Sequence, residues 1–182
     1  RSAEGKALWI VRGGAIRIEN LEFRGARGRD GNGAGIRFER GRLTQHRCAF
    51  IDNGIGVLTD DQTEQTLDIS DSEFADAPRH DGLPHHLLHV GAIGRFTLTG
   101  SRFSNGHRGH LVKSRARENH VRYNLIADGP DGTAAYELEF PNGGLAYVVG
   151  NVIAQSAATE DSVLVAYGDE GPRWPDNALY FA

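Results

Sequence analysis

An eight-residue shape recurs six times along this chain, and that recurrence limits what the chain can fold into. Leu67–Phe74 reads LDISDSEF, alternating apolar and polar residues before closing on an aromatic. Ile16–Phe23 (IRIENLEF), Leu43–Phe50 (LTQHRCAF), Phe96–Phe103 (FTLTGSRF), Asn119–Ile126 (NHVRYNLI) and Ala146–Ile153 (AYVVGNVI) repeat it. The closing residues Phe23, Phe50, Phe74, Phe103, Ile126 and Ile153 lie 27, 24, 29, 23 and 27 positions apart. A fixed period of this size marks an array of similar units, each burying its apolar face against the next.

A second apolar segment precedes each copy: Leu8–Val11, Gly35–Phe38, Gly56–Leu58, Leu87–Val90, Leu111–Ser114 and Tyr136–Phe140, with Val163–Tyr167 after the last. Turns such as Asp52-Asn53-Gly54 and Pro141-Asn142-Gly143-Gly144 separate these short period-2 stretches. The pattern is that of β-strands; no stretch of ten residues carries a helical apolar stripe. Antiparallel hairpins and stacked coils both fit short strands, and the columns decide between them. In a stack of coils like sits on like. The third position of the repeat reads Ile18, Gln45, Ile69, Leu98, Val121 and Val148, with Gln45 the single polar intruder. The sixth reads Leu21, Cys48, Ser72, Ser101, Asn124 and Asn151, which predicts asparagine amides stacked on one another. The expected fold is all-β, a single parallel β-helix domain spanning 1–182, of about seven coils at roughly 4.8 Å each. The strand at Ala178–Ala182 reads as cut off mid-coil, so a segment of a longer chain, truncated at one or both ends, is expected.

Composition narrows the partners. Twenty Lys and Arg against 24 Asp and Glu give a net charge of −4, without the clustered basic surface of a nucleic-acid binder. No apolar run is long enough to insert into a membrane. One cysteine, Cys48, excludes an internal disulfide framework and a cysteine-only zinc site. A monomer is expected.

Three consecutive coils carry unusual residues. Aligned, they read His86-Leu87-Leu88-His89-Val90, His110-Leu111-Val112-Lys113-Ser114-Arg115 and Tyr136-Glu137-Leu138-Glu139-Phe140. Strict alternation points Leu88, Val112 and Leu138 inward. It places His89, Lys113 and Glu139 in one outward column, with Arg115 and Glu137 on the same face. His86 and His110 then face inward or lie at a strand edge. Two readings apply to this patch. Opposite charges on neighbouring strands stabilise a sheet by about 0.2–1 kcal/mol per pair, so it can be inert ion pairing. Alternatively, a Lys beside an Arg can act as a base, an Arg can grip a carboxylate, and Glu137 with Glu139 could hold Ca²⁺. Asp81, His85, His86 and His89 give a weaker transition-metal alternative.

The IRIENLEF, LDISDSEF and FTLTGSRF copies, with GNVI at Gly150–Ile153, resemble the right-handed parallel β-helix repeat proteins of the pectate-lyase-like superfold. The resemblance spans about Lys6 to Tyr167. It implies a secreted or periplasmic carbohydrate-active protein acting on an acidic polysaccharide, most simply as a lyase, with either no cofactor or Ca²⁺. By analogy Lys113 would be the base, Arg115 would neutralise the substrate carboxylate, and His110 or His89 would assist proton transfer. Glu137, Glu139, Asn142 and His86 would contact substrate. A non-catalytic polysaccharide-binding or structural module is the alternative.

Overall fold

The computed structural model describes residues 5–28, 31–79, 82–159, 161 and 163–182. Each coil of the chain contributes one strand to each of three parallel sheets. The first sheet stacks Ala7–Val11, Ala34–Phe38, Ile55–Thr59, Leu88–Val90, His110–Ser114, Tyr136–Phe140 and Val165–Tyr167. The second stacks seven strands from Ala15–Glu19 to Ala178–Phe181, and the third six from Glu22–Arg24 to Val152–Ala154. The protein is therefore a parallel β-solenoid of about six full turns with a partial further coil, one fewer complete coil than the repeat spacing suggested. Among the described residues no helix is long and apolar enough to cross a membrane.

The register reproduces the sequence alignment. Ile16, Leu43, Leu67, Phe96, Asn119 and Ala146 pair in turn along the second sheet. Phe23, Phe50, Phe74, Phe103, Ile126 and Ile153 pair along the third. The four phenylalanines form one inner stack, with ring centroids 5.1, 4.7 and 4.8 Å apart. Their burial supplies the apolar drive. The coil spacing matches the ring separation that aromatic pairs favour.

Between the second and third sheets the chain turns through one left-handed residue per coil. Asn20, Arg47, Asp71, Gly100, Tyr123 and Gly150 occupy it, with φ between 50 and 66°. The sixth-position column follows directly. Asn124 Nδ2 donates to Asn151 Oδ1 at 2.9 Å, the predicted amide ladder. The ladder also reaches into the earlier coils. The backbone N–H of Cys48 donates to Ser72 Oγ, that of Ser72 to Ser101 Oγ, and that of Ser101 to Asn124 Oδ1. Each coil's side chain thus satisfies an amide of the preceding coil that would otherwise be buried without a partner. Gln45 is fully buried, and neither end of its amide has a partner among the described residues.

Alternation fails once in the first sheet, and this failure shapes its outer face. Leu87 and Leu88 are both in the core, as are Leu111 and Val112. Two successive positions of each strand therefore face inward. At the first of them the ladder pairs skip, between Gly35 and Gly56 and again between Leu111 and Glu137. Gly35 and Gly56 occupy this position in earlier coils. A Cβ on Gly56 would meet Leu87 O at 2.5 Å and Phe74 Cδ1 at 2.8 Å. The position points at the phenylalanine stack, and glycine is required where the rings come closest.

Candidate functional site on the first sheet

Because two positions face inward, the residues on either side of them share the outer face. His86, His110 and Tyr136 form one column there. His89, Lys113 and Glu139 form the other, in the register expected. Of the two places expected for His86 and His110, the strand edge is the one they take: His110 opens its strand and His86 lies just before the start of its own, the rings of His86 and His89 lie 5.0 Å apart, and His110 Nδ1 approaches Glu139 Oε2 to 2.6 Å.

Glu137 requires the opposite correction. It shares the inward column of Leu87 and Leu111 and has no exposed surface. Neither carboxylate oxygen finds a hydrogen-bond partner among the described residues. Burial, with a smaller contribution from the nearby Asp128, raises its pKa to about 8 against the opposing effects of its own backbone and of Gln155. Asp128 is itself buried, capped by the N–H groups of Gly106 and Ala134. Glu137 and Glu139 thus lie on opposite sides of one strand, and the paired outward ligands expected for Ca²⁺ do not form. Among the described residues no group of three or more His, Cys, Asp or Glu is placed to hold a metal ion. Of the four-residue metal set, Asp81 lies outside the described residues.

The outer face is held by charge. Lys113 Nζ lies 2.8 Å from Glu139 Oε2 and 3.2 Å from Glu170 Oε1, and the Lys113 side chain is only 10% exposed. Burial alone would raise Glu139, but contact with His110 and Lys113 overrides it and holds this carboxylate at about 2. Arg115 grips both oxygens of Glu170, at 2.7 and 2.6 Å, and donates to His89 Nε2 at 3.1 Å. Burial, then the charges of Arg115 and Lys113, lower His89 to about 4. His86 is depressed by the same kinds of cause, burial first. It accepts the His110 backbone N–H through Nδ1 at 3.0 Å. At neutral pH the face therefore presents two neutral imidazoles beside two cations.

Glu170 went unnoticed in the sequence. It arrives on the long turn between Val165–Tyr167 and Ala178–Phe181, two coils beyond Arg115. That turn folds back over the face. Trp174 Nε1 donates to Arg115 O at 3.1 Å, and Arg173 reaches Asp61 at 3.2 Å. Asn142 is drawn to the turn rather than to open surface, with Nδ2 donating to Gly171 O at 3.2 Å. The available signal was the acidic pair Asp169-Glu170 ahead of Gly-Pro-Arg-Trp-Pro, opposite the cations of Lys113-Ser114-Arg115.

A groove of about 390 Å³ lies elsewhere, at the corner of the second and third sheets, lined by Arg47, Asp71, Glu73 and Arg102. Compared with known proteins, the chain matches no protein-family model, no curated protein and no solved structure.

Proposed function

We propose that the outer face of the first sheet binds an acidic polysaccharide and cleaves it by β-elimination. One observation carries this reading. Arg115 holds a carboxylate in a two-point grip, Lys113 touches the same carboxylate, and a neutral imidazole sits against Arg115. A uronate needs that combination. Cations on its C6 carboxylate make the C5 proton acidic, and a base then removes it. The C5–H electrons form the C4=C5 double bond, the C4–O bond breaks, and the departing oxygen takes a proton.

Arg115 and Lys113 would neutralise the carboxylate. Lys113 is engaged by Glu139 and Glu170, which suits holding charge better than accepting a proton, so His89 is the better base. Its Nε2 lone pair becomes free once Arg115 turns to substrate. His110, held by Glu139, is placed to return the proton to the leaving oxygen. His86 and Tyr136 flank it as contact surface. This chemistry suits a secreted or periplasmic setting, where acidic polysaccharides are met, and no step in it requires a metal.

A second reading is favoured by the completeness of the pairing. Lys113 bridges Glu139 and Glu170, and Arg115 pairs with Glu170, so each of the four charges has a partner, as on an inert or purely binding face. Incubation with pectate, alginate and glycosaminoglycans, followed near 235 nm for unsaturated uronates, separates the two. Absorbance that rises with the wild type and falls at least tenfold in His89→Ala and Arg115→Ala supports the lyase. No rise with any polymer leaves the face as a binding or structural surface.

A further inference from the structure

The carboxylate on Arg115 and Lys113 belongs to the chain itself, and it has the contacts a ligand carboxylate would make. Arg115 Nη2 reaches both Glu170 oxygens while Nη1 turns to His89, and such a charge-assisted contact is open equally to a side-chain acid and to a uronate. Glu170 is 41% exposed, while the cations beneath it are 19% and 10% exposed. The outer partner is thus the accessible one, and the cations are covered mainly by it.

The segment carrying Glu170 is one irregular turn between two strands. It runs from Gly168 to Asn177. Gly168 and Gly171 flank Asp169-Glu170 at φ +79 and +86°, with no atom crowding the place of a Cβ on either. These glycines serve backbone conformation rather than close packing, as hinge positions do. The segment is tied to the coil beneath it by hydrogen bonds from Gly168 N to Phe140 O, Glu170 N to Pro141 O, Asn142 Nδ2 to Gly171 O, Arg173 N to Asn142 O and Gly144 N to Asn177 Oδ1, and to the face by Glu170, Trp174 and Arg173, but none of its side chains belongs to the hydrophobic core.

The closed position is also opposed from within. Asp169 is carried against Glu139, and burial together with that neighbouring acid disfavours its charged form. The attraction at Glu170 and the repulsion at Asp169 pull in opposite senses.

We infer that Gly168–Asn177 is an autoinhibitory strap, with Glu170 an internal surrogate for the carboxylate of an acidic glycan that displaces it. The inference rests on reading this face as a glycan site and adds its regulation. The resting protein holds its cations neutralised and covered. A polymer bearing several carboxylates outcompetes one side chain, lifts the strap and frees His89 from Arg115.

The test uses the 182-residue chain with Trp9→Phe, which leaves Trp174 as the only tryptophan. Trp174 fluorescence, quenched with acrylamide, reports the strap while pectate, alginate or hyaluronan is titrated in. Quenching should increase with the polymer that binds. Glu170→Gln should bind the same polymer about tenfold more tightly, as expected if the open state is near a tenth of the resting population. Trp174→Phe, measured by affinity alone, should shift binding the same way by loosening the strap without touching the cations. A polymer that binds without changing Trp174, and binds Glu170→Gln no better, overturns the strap and leaves the glycan site standing. If no polymer binds the wild type or Glu170→Gln, the glycan site falls and the strap with it.

Discussion

Replacing Glu137 with Gln should stabilise the protein at alkaline pH and remove much of its pH dependence. The carboxyl is buried in the leucine column of the first sheet and is held neutral up to about pH 8, against an ordinary value of 4.5. In the unfolded chain the same group ionises near 4.5. Between the two values the folded state binds the extra proton, so stability must fall as pH rises through this window. Below 4.5 no penalty applies, and above about 8 it is complete. A difference of 3.5 pH units corresponds to about 5 kcal/mol at 1.36 kcal/mol per unit. Relaxation of the protein around the buried acid reduces this to roughly 2–3 kcal/mol. Glutamine has nothing to ionise. At pH 9 Glu137→Gln should therefore melt about 4–12 °C above the wild type, using ~2–4 °C per kcal/mol for a domain of this size. At pH 4 the two should nearly coincide. Glu137→Leu, which continues the column of Leu87 and Leu111, should behave similarly at high pH. Thermal melts at pH 4, 7 and 9 decide the matter. Wild-type stability that parallels Glu137→Gln across that range would refute the buried, neutral carboxyl.

Gln45→Leu should raise the denaturant midpoint by the equivalent of about 1–3 kcal/mol, because it replaces an unpartnered buried amide within an aliphatic column. Asn124→Ala should lower it by about 2–4 kcal/mol, since the side chain bonds Asn151, Leu98 O and the Ser101 amide and its loss leaves buried groups unpaired. His89 is neutral in the fold down to about pH 4 and protonates near 6.5 when unfolded, so the wild type should lose stability as pH falls from 6.5 to 4. His89→Gln should flatten that part of a pH-dependent melting series.

The fold was legible because a parallel β-helix writes its register into the sequence. Every closing residue from Phe23 to Ile153 pairs as aligned, since each must stack on its counterpart one coil away. The Asn124–Asn151 ladder was legible for the same reason. The face of the first sheet was only half legible. Strict two-residue alternation put His89, Lys113 and Glu139 together correctly. It failed for Glu137 and left His86 and His110 undecided between the inner face and the strand edge, because the strand turns two neighbours inward where Gly35 and Gly56 make room in earlier coils. A local break of this kind leaves no periodic trace, although glycines aligned over leucines and then over a glutamate were a hint. Glu170 left only the weak trace of an acidic pair, for a different reason. Its contact with Arg115 spans 55 residues and depends on the path of an irregular turn, and no column predicts such a path.

What Arg115 holds is tested most directly by a crystal structure of the protein soaked with an oligouronate released from the most active or tightest-binding polymer. The predicted result is a uronate carboxylate on Arg115 and Lys113, with Glu170 withdrawn and His89 Nε2 facing the sugar. Glu170 still bound to Arg115, with the oligosaccharide absent or lodged in the groove beside Arg47 and Arg102, would contradict it.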